Sequence, residues 1–573
     1  MVLSPGNVGE PLRLLAPPAV LHLGDSMRNR VVLSFYFLSP LLFLLIAITC
    51  FGQSLPRDES VAPTTLPSEL TDVVTYHFGI ARTGWYRYET TLRPSNVNST
   101  TFGKLGFLGV DGKVDGQPLY LNAVNISSQQ HNVVYAVTEH DSAYAFDADM
   151  QALLWRVSVL RNGETPSDPH GCNQISPQIG ITDTPVIDRT LGPHGAMYFV
   201  AMTKDSGGHY HQRLHALDIT TGAELFGGPT EIEARYPGTG DNSHNGYVIF
   251  DPGQYAERVG LLELGHSRLY LAFTSHCDQR PYTGWVIAYS TTTLAQLAVL
   301  NVTPNGNEGA IWMSGSAMAA DSLGNIYFLD GNGTFDTTLN SNGFPINGDF
   351  GNTFLKLDST HGLGVADYFA VYNTVQESEQ DEDLGSGGAI VLPDLYDVNR
   401  VVHHLAVGAG KDSNIYVVNR DNMGKYDPDG NNSNAYQVIT GALAGGVWAM
   451  PAYFTNTIFY GAVDDNLKAF TINNAKLSTS PASQSRNAFT YPGTTPAVSG
   501  TGLNGMVWAV ENSNPAVLHA YNATNLTQEL YNSNQAGSRD HFGPGNKFVT
   551  PIIANGKVFV GTQTGVAIFG LLQ

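Results

Sequence analysis

The chain has 573 residues and a formal net charge of −21, with only 14% of its residues charged. That acidic field, with no basic stripe to offset it, excludes nucleic acid as a partner and disfavours an anionic membrane surface. Gly reaches 61 residues and aromatics 10%. This mix suits short strands joined by tight turns, and no heptad or sustained 3.6-residue period appears.

At the N-terminus, Met27-Arg28-Asn29-Arg30 precedes a nearly uninterrupted apolar run from Val31 to Thr49. A basic stretch ahead of an apolar one is the pattern of a secretory signal. Residues 1–52 therefore read as a leader, with Met27 as an alternative start and cleavage near Gly52-Gln53. Two other readings stay open. An uncleaved anchor is one, since about 19 apolar residues just span a bilayer. A lipoprotein signal ending at Cys50 is the other, although Thr49 stands where a small residue is usual. The membrane is thus a partner only through the leader. Every reading puts the protein outside the cytoplasm, secreted or periplasmic. Residues 53–71 read as a disordered polar linker, and residues 72–573 as the folded body.

From there a strand pair recurs. A β-branched and aromatic run, Asn132 to Val137, precedes the alternating Tyr144-Ala145-Phe146-Asp147. The same unit returns at Met197 to Ala201 with His215 to Asp218, and for the last time at Val558 to Gly561 with Val566 to Phe569. There are about eight units, spaced by roughly 45–70 residues. Each half alternates with period two, so each small sheet needs neighbours to cover its faces. A ring supplies them and leaves only short edges. A linear solenoid would need capping repeats, and none is evident. The expected fold class is all-β, an eight-bladed β-propeller of four-stranded antiparallel blades. Thr184-Pro185, Thr495-Pro496 and Thr550-Pro551 open inner strands, where proline's missing N–H costs least. The last unit stops after its third strand, so Phe102 to Leu108 is expected to supply the missing outer strand.

One unit, Tyr144-Ala145-Phe146-Asp147 to Trp155, resembles the blade consensus of the pyrroloquinoline-quinone-like (PQQ-like) superfamily, Tyr-Ala-Leu-Asp-x-x-Thr-Gly-x-x-x-Trp. Met150-Gln151 replaces Thr-Gly there, while a later unit keeps Thr221-Gly222 and has Phe226 for Trp. Longer loops, Thr274 to Asp278, Thr303 to Gly306, Gly331 to Asp336, Asp383 to Gly388 and Asn419 to Gly424, are similar to those of secreted bacterial PQQ-like repeat proteins of undefined activity. The resemblance spans about residues 72–573 and implies the fold more than a function. The superfamily holds quinoprotein dehydrogenases, and also non-enzymatic members such as an outer-membrane assembly lipoprotein. The dehydrogenases carry an adjacent Cys-Cys pair over the quinone. Here Cys50, Cys172 and Cys277 lie far apart, which counts against PQQ and calcium as cofactors. The leading reading is a binding or scaffold protein for an unknown protein or carbohydrate ligand. The alternatives are a quinoprotein-like oxidoreductase acting on alcohols or sugars, and a hydrolase or lyase acting on polysaccharide.

Cys172 and Cys277 can form a disulfide in an oxidising compartment. They can equally be two buried thiols, or join His170 and His276 in a zinc set. The acidic run Glu377 to Asp383 reads as a solvated loop rather than a calcium site, with Asp383 in a structural role beside Gly385 to Gly388. Trp312 and Trp448 sit in matching stretches, Gly309 to Gly315 and Gly445 to Pro451, that should enter inner strands at the channel mouth. There they would stack on a flat ligand or pack between blades. Asp540-His541 precedes the last inner strand and would bring His541 to the same mouth. Trp312, Trp448, Asp383, His541 and His276 together form the candidate ligand site. No nucleotide-binding or hydrolase motif appears.

Overall fold

The computed structural model describes residues 71–572; the leader, Cys50 and nearly all of the polar linker lie outside the described residues. Strands dominate, and among the described residues the one α-helix is Thr374–Glu379. Among the described residues, eight sheets of four or five strands follow one another. In chain order, sheet 1 runs from Leu119–Ile126 to Leu153–Ser158, sheet 2 holds Ala196–Lys204 and Tyr210–Asp218, sheet 3 Arg268–Ala272 and Trp285–Ser290, sheet 4 Asn325–Leu329 and Phe354–Asp358, sheet 5 Leu405–Gly408 and Ile415–Asn419, sheet 6 Thr457–Tyr460 and Asp465–Asn473, sheet 7 Met506–Glu511 and Val517–Asn522, and sheet 8 Ile552–Ala554, Lys557–Gly561 and Gly565–Leu571.

The apolar runs are continuous because each middle strand buries both faces. In sheet 1, Val133, Tyr135 and Val137 pack with Met197, Phe199 and Ala201 of sheet 2. Val134 and Ala136, one residue out of phase, pack against Phe559 and Ile568 of sheet 8. Sheet 2 repeats the device: Tyr198 and Val200 turn instead to Leu269 and Leu271 of sheet 3. Such clusters run in series from sheet 1 to sheet 7, and one further cluster spans sheets 7, 8 and 1, so the series returns to its start. Period-two alternation thus distributes one strand between two neighbours instead of between core and solvent.

Sheet 8 takes its fourth strand from the other end of the chain. Phe102–Gly109 pairs antiparallel with Gly565–Leu571, Phe102 opposite Leu571 and Leu108 opposite Val566. Phe102 is fully buried, with its ring 4.9 Å from Tyr531 and 5.5 Å from Trp508.

A feature absent from the repeat pattern organises the centre. The segment Val73 to Gly84 crosses the first strands of six sheets and bonds to each through the backbone. Val73 exchanges two hydrogen bonds with Tyr120, and Ile187, Ala320, Val391, Tyr453 and Val498 donate to the carbonyls of Val74, Ile80, Ala81, Thr83 and Gly84. We call this segment the collar. Left-handed backbone at His77, Phe78 and Arg82 (φ 55°, 66° and 57°) lets it turn from one strand to the next. Arg82, fully buried, fixes it by donating to the carbonyls of Tyr76, Leu261 and Met318 and to Thr75 Oγ1.

Candidate functional site

At the opposite end of the first strands, the loops that enter them converge on a cavity of about 250 Å³. Trp312, Trp448, Asp383 and His276 all line it. Each comes from a different loop, and the loops enter sheets 4, 6 and 5 or join two strands of sheet 3.

The two Trp residues are half-buried. Neither belongs to a packing cluster between sheets; Trp285 and Trp508 are buried within such clusters, and Trp85 and Trp155 pack against others. Trp312 meets Phe548 edge-on, ring centres 5.7 Å apart, and Trp448 meets Tyr491 edge-on at 5.6 Å. Directly after Trp312 the chain strains: Met313 and Ser314 both take left-handed backbone (φ 45° and 51°), held by Ser314 Oγ donating to the Ser386 carbonyl at 2.6 Å. Two consecutive non-glycine residues there carry a local strain cost.

His276 is buried, and its ring stacks on His170 with centres 4.1 Å apart and planes 7° from parallel. Burial, then the charge of His170, pulls its pKa down to about 3, so the imidazole is neutral. Its Nε2 has no hydrogen-bond partner. Beside this pair Cys172 and Cys277 are disulfide-bonded, Cα atoms 5.7 Å apart. The bridge ties the loop entering sheet 2 to a loop of sheet 3. With both sulfurs in that bond, the zinc set built on two thiolates does not exist.

Asp383 is buried and paired with Lys411 Nζ at 2.7 Å. Burial raises its pKa and Lys411 opposes the rise. The acidic run before it is not simply a solvated loop. Thr374–Glu379 is helical, and Glu377 is buried against Asn352, pushed up to about 8 by burial and then by Asp412. A helix turn places one carboxyl of the run inward, which a reading by composition does not separate from its exposed neighbours.

His541 does not reach the cavity. Its carbonyl accepts from Lys104 Nζ, on the closing strand at the outer edge of sheet 8. Its neighbour Asp540 is pinned there by Arg539 at 2.6 Å and Tyr531 Oη at 2.7 Å. The connection into sheet 8 starts from the outermost strand of sheet 7, Asn525–Asn532, and His541 lies too early along it. Further along the same connection Phe548 backs the cavity wall, its ring against Trp312 and Arg258.

Sequence reasoning missed Arg258, which enters sheet 3 and lines the cavity. It is 2% exposed, its guanidinium lies 4.8 Å from the centre of the Phe548 ring, and its Nε and Nη1 have no hydrogen-bond partner. The carboxyls that feel its charge are Asp115 and Glu139, a buried pair. Burial and then the charge of Asp115 push the Glu139 carboxyl well above its usual range. A buried guanidinium with unpaired donors lacks the hydrogen bonds that usually compensate a buried charge. The signal was present in Glu257-Arg258, two charges inside an otherwise apolar approach to a strand.

No protein-family profile matches the chain, and no curated protein matches it. Solved structures do. A quinohaemoprotein alcohol dehydrogenase from Comamonas testosteroni aligns over 87% of this chain and 80% of its own, at 12% identity and a TM-score of 0.57. One from Pseudomonas putida HK5 aligns over 88% and 80%, at 12% identity and a TM-score of 0.58. A europium-containing methanol dehydrogenase aligns over 88% and 98%, at 12% identity and a TM-score of 0.55. The chain is a β-propeller. Its fold is the PQQ-like one of the quinoprotein dehydrogenases.

The cavity residues do not fit a calcium-bound quinone. Calcium takes six to eight oxygen ligands, but Asp381 and Asp383 are both paired with Lys411, whose ammonium would repel a cation placed beside them. The disulfide joins residues separated by 105 positions, not adjacent ones.

Proposed function

We propose that this chain is an extracytoplasmic propeller of eight four-stranded blades. It acts as a binding protein for a small ligand with a flat face and an anionic group. The unpaired Arg258 guanidinium carries this reading: it takes the anionic group, Trp312 and Trp448 cover the flat face, and neutral His276 adds a hydrogen bond. The serial packing of the sheets supports the eight-blade count. An acidic sugar meets these demands, in keeping with a carbohydrate ligand. The alternative, an oxidoreductase acting on alcohols or sugars, is favoured by the fold shared with alcohol and methanol dehydrogenases and opposed by Lys411 among the acids.

Calorimetric titration with glucuronate and with glucose, on wild-type protein and Arg258→Met, tests the reading. Saturable binding of glucuronate alone, lost in the variant, is expected. Equal binding of both sugars, or unchanged binding by Arg258→Met, overturns it. Dye-linked oxidation of ethanol by protein incubated with PQQ and calcium would establish the alternative. N-terminal sequencing of exported protein tests the location, with a mature start near Gln53 expected.

A further inference from the structure

At the ends of the first strands away from the cavity, Asp188 closes Val186–Asp188 of sheet 2. Glu263 lies in Leu262–Leu264 of sheet 3, and His266 in the turn that follows. One donor atom from each of the three lies within 4.8 Å of the other two, the one such trio among the described residues.

Histidine–carboxylate contacts are frequent in this protein, and most need no ion. His131 meets Asp147 at 2.6 Å, His194 meets Asp218 at 2.7 Å and His361 meets Asp358 at 2.8 Å. Each is an imidazole beside one carboxylate, complete as a hydrogen bond. His266 likewise meets Asp188 at 2.7 Å, but here a second carboxylate is present. Glu263 Oε1 is buried and has no hydrogen-bond partner. A buried carboxylate oxygen without a donor costs free energy unless a cation completes it.

We propose that Asp188, Glu263 and His266 form a divalent transition-metal site of the zinc type, clamping the first strand of sheet 2 to that of sheet 3. Two carboxylates balance the ion's charge, and one imidazole makes the donor set mixed. Such a set suits zinc, cobalt or manganese, while calcium takes more oxygens than the trio offers. Asp188 is pre-oriented: its Oδ1 accepts from Thr190 N at 2.7 Å and Thr190 Oγ1 at 2.6 Å, which leaves Oδ2 toward the ion. The Asp188 side chain is 2% exposed and that of His266 67%, so the site is anchored inside and open to water outside. The ion replaces the His266–Asp188 hydrogen bond, and its role is to join sheets.

Full-length protein stripped with EDTA is titrated with Co²⁺, followed by visible absorption, and with Zn²⁺, followed by calorimetry. One tight equivalent is expected, with ligand-field bands for Co²⁺ and a raised thermal midpoint. His266→Ala and Glu263→Gln should each weaken binding by more than about 100-fold, beyond what loss of an outer-shell partner costs. His194→Ala, which removes a one-carboxylate pair, should bind as wild type. His266 is exposed, so His266→Ala keeps its fold, checked by circular dichroism. Unchanged affinity in both site variants, or no saturable Co²⁺ binding by the wild type, overturns the proposal.

Discussion

Two arginines lie at the two ends of the first strands, almost equally buried, and their surroundings differ. Arg82 in the collar donates to four carbonyls, the longest bond being to Gly79 at 3.5 Å, and to one hydroxyl. Burial pulls its pKa down to about 9, yet every nitrogen has a partner. Arg258 at the cavity has two nitrogens without one. A fold tolerates a buried cation either by satisfying it internally or by leaving it for something that arrives later. The collar end is finished by main-chain hydrogen bonds. The cavity end is held by a disulfide and loops, and Arg258 Nε and Nη1 and His276 Nε2 are left without partners.

Arg82→Met breaks the comparison most strongly. Three of its carbonyl partners lose their donor in a dry centre, at about 1–3 kcal/mol each, so a loss of roughly 5 kcal/mol in urea unfolding is expected. Arg258→Met should cost less than about 1 kcal/mol, because an apolar side chain replaces a charge with few partners. Similar losses at both sites would show that Arg258 is structural.

The clasp at the cavity end comes next. Replacing Cys172 and Cys277 by serine releases a loop of 105 residues. The chain-entropy argument puts this at roughly 4–5 kcal/mol. Free-thiol labelling of the unfolded, unreduced wild type should find none from this pair.

The tryptophans sharpen the same contrast. Trp285 and Trp508 are fully buried between sheets, and truncating either to alanine should cost about 3–5 kcal/mol. Trp312→Ala and Trp448→Ala should cost under about 1.5 kcal/mol, with loss of glucuronate binding. Equal losses across all four would mean that the cavity indoles are packing residues.

What the sequence revealed follows from which forces are local. The strand pairs were legible because alternation is a property of consecutive residues, and the closing strand because a truncated last unit needs an edge partner. The convergence of Trp312 and Trp448 on one cavity was legible because their loops look alike and precede first strands. His541 was not, because its position depends on how far a long connection runs before it turns inward. The collar left no pattern: it makes one or two bonds per sheet, and no period of two or 3.6 records a segment that crosses strands in turn. Arg258 could be noticed as a charge out of place, but only three dimensions show that its Nε and Nη1 lack partners.

The smallest expected effect tests whether His276 is held neutral by the cavity. Its folded pKa of about 3 lies below the unfolded 6.5, the main cause being burial. Between those values the unfolded chain takes up a proton that folded His276 refuses, so acidification favours unfolding. The contribution is fully present above pH 6.5 and is lost as pH falls toward 3. One pH unit below 6.5 the loss amounts to about 1.4 kcal/mol at most. In His276→Gln, urea midpoints measured from pH 8 to pH 4 should fall less steeply than in the wild type. The variant should not lose its slope altogether. His77 in the collar is also held down by burial, to about 4, and contributes a slope of the same sign between about 4 and 6.5. A His276→Gln profile parallel to the wild type would mean that His276 is solvated in the cavity and does not line a dry site.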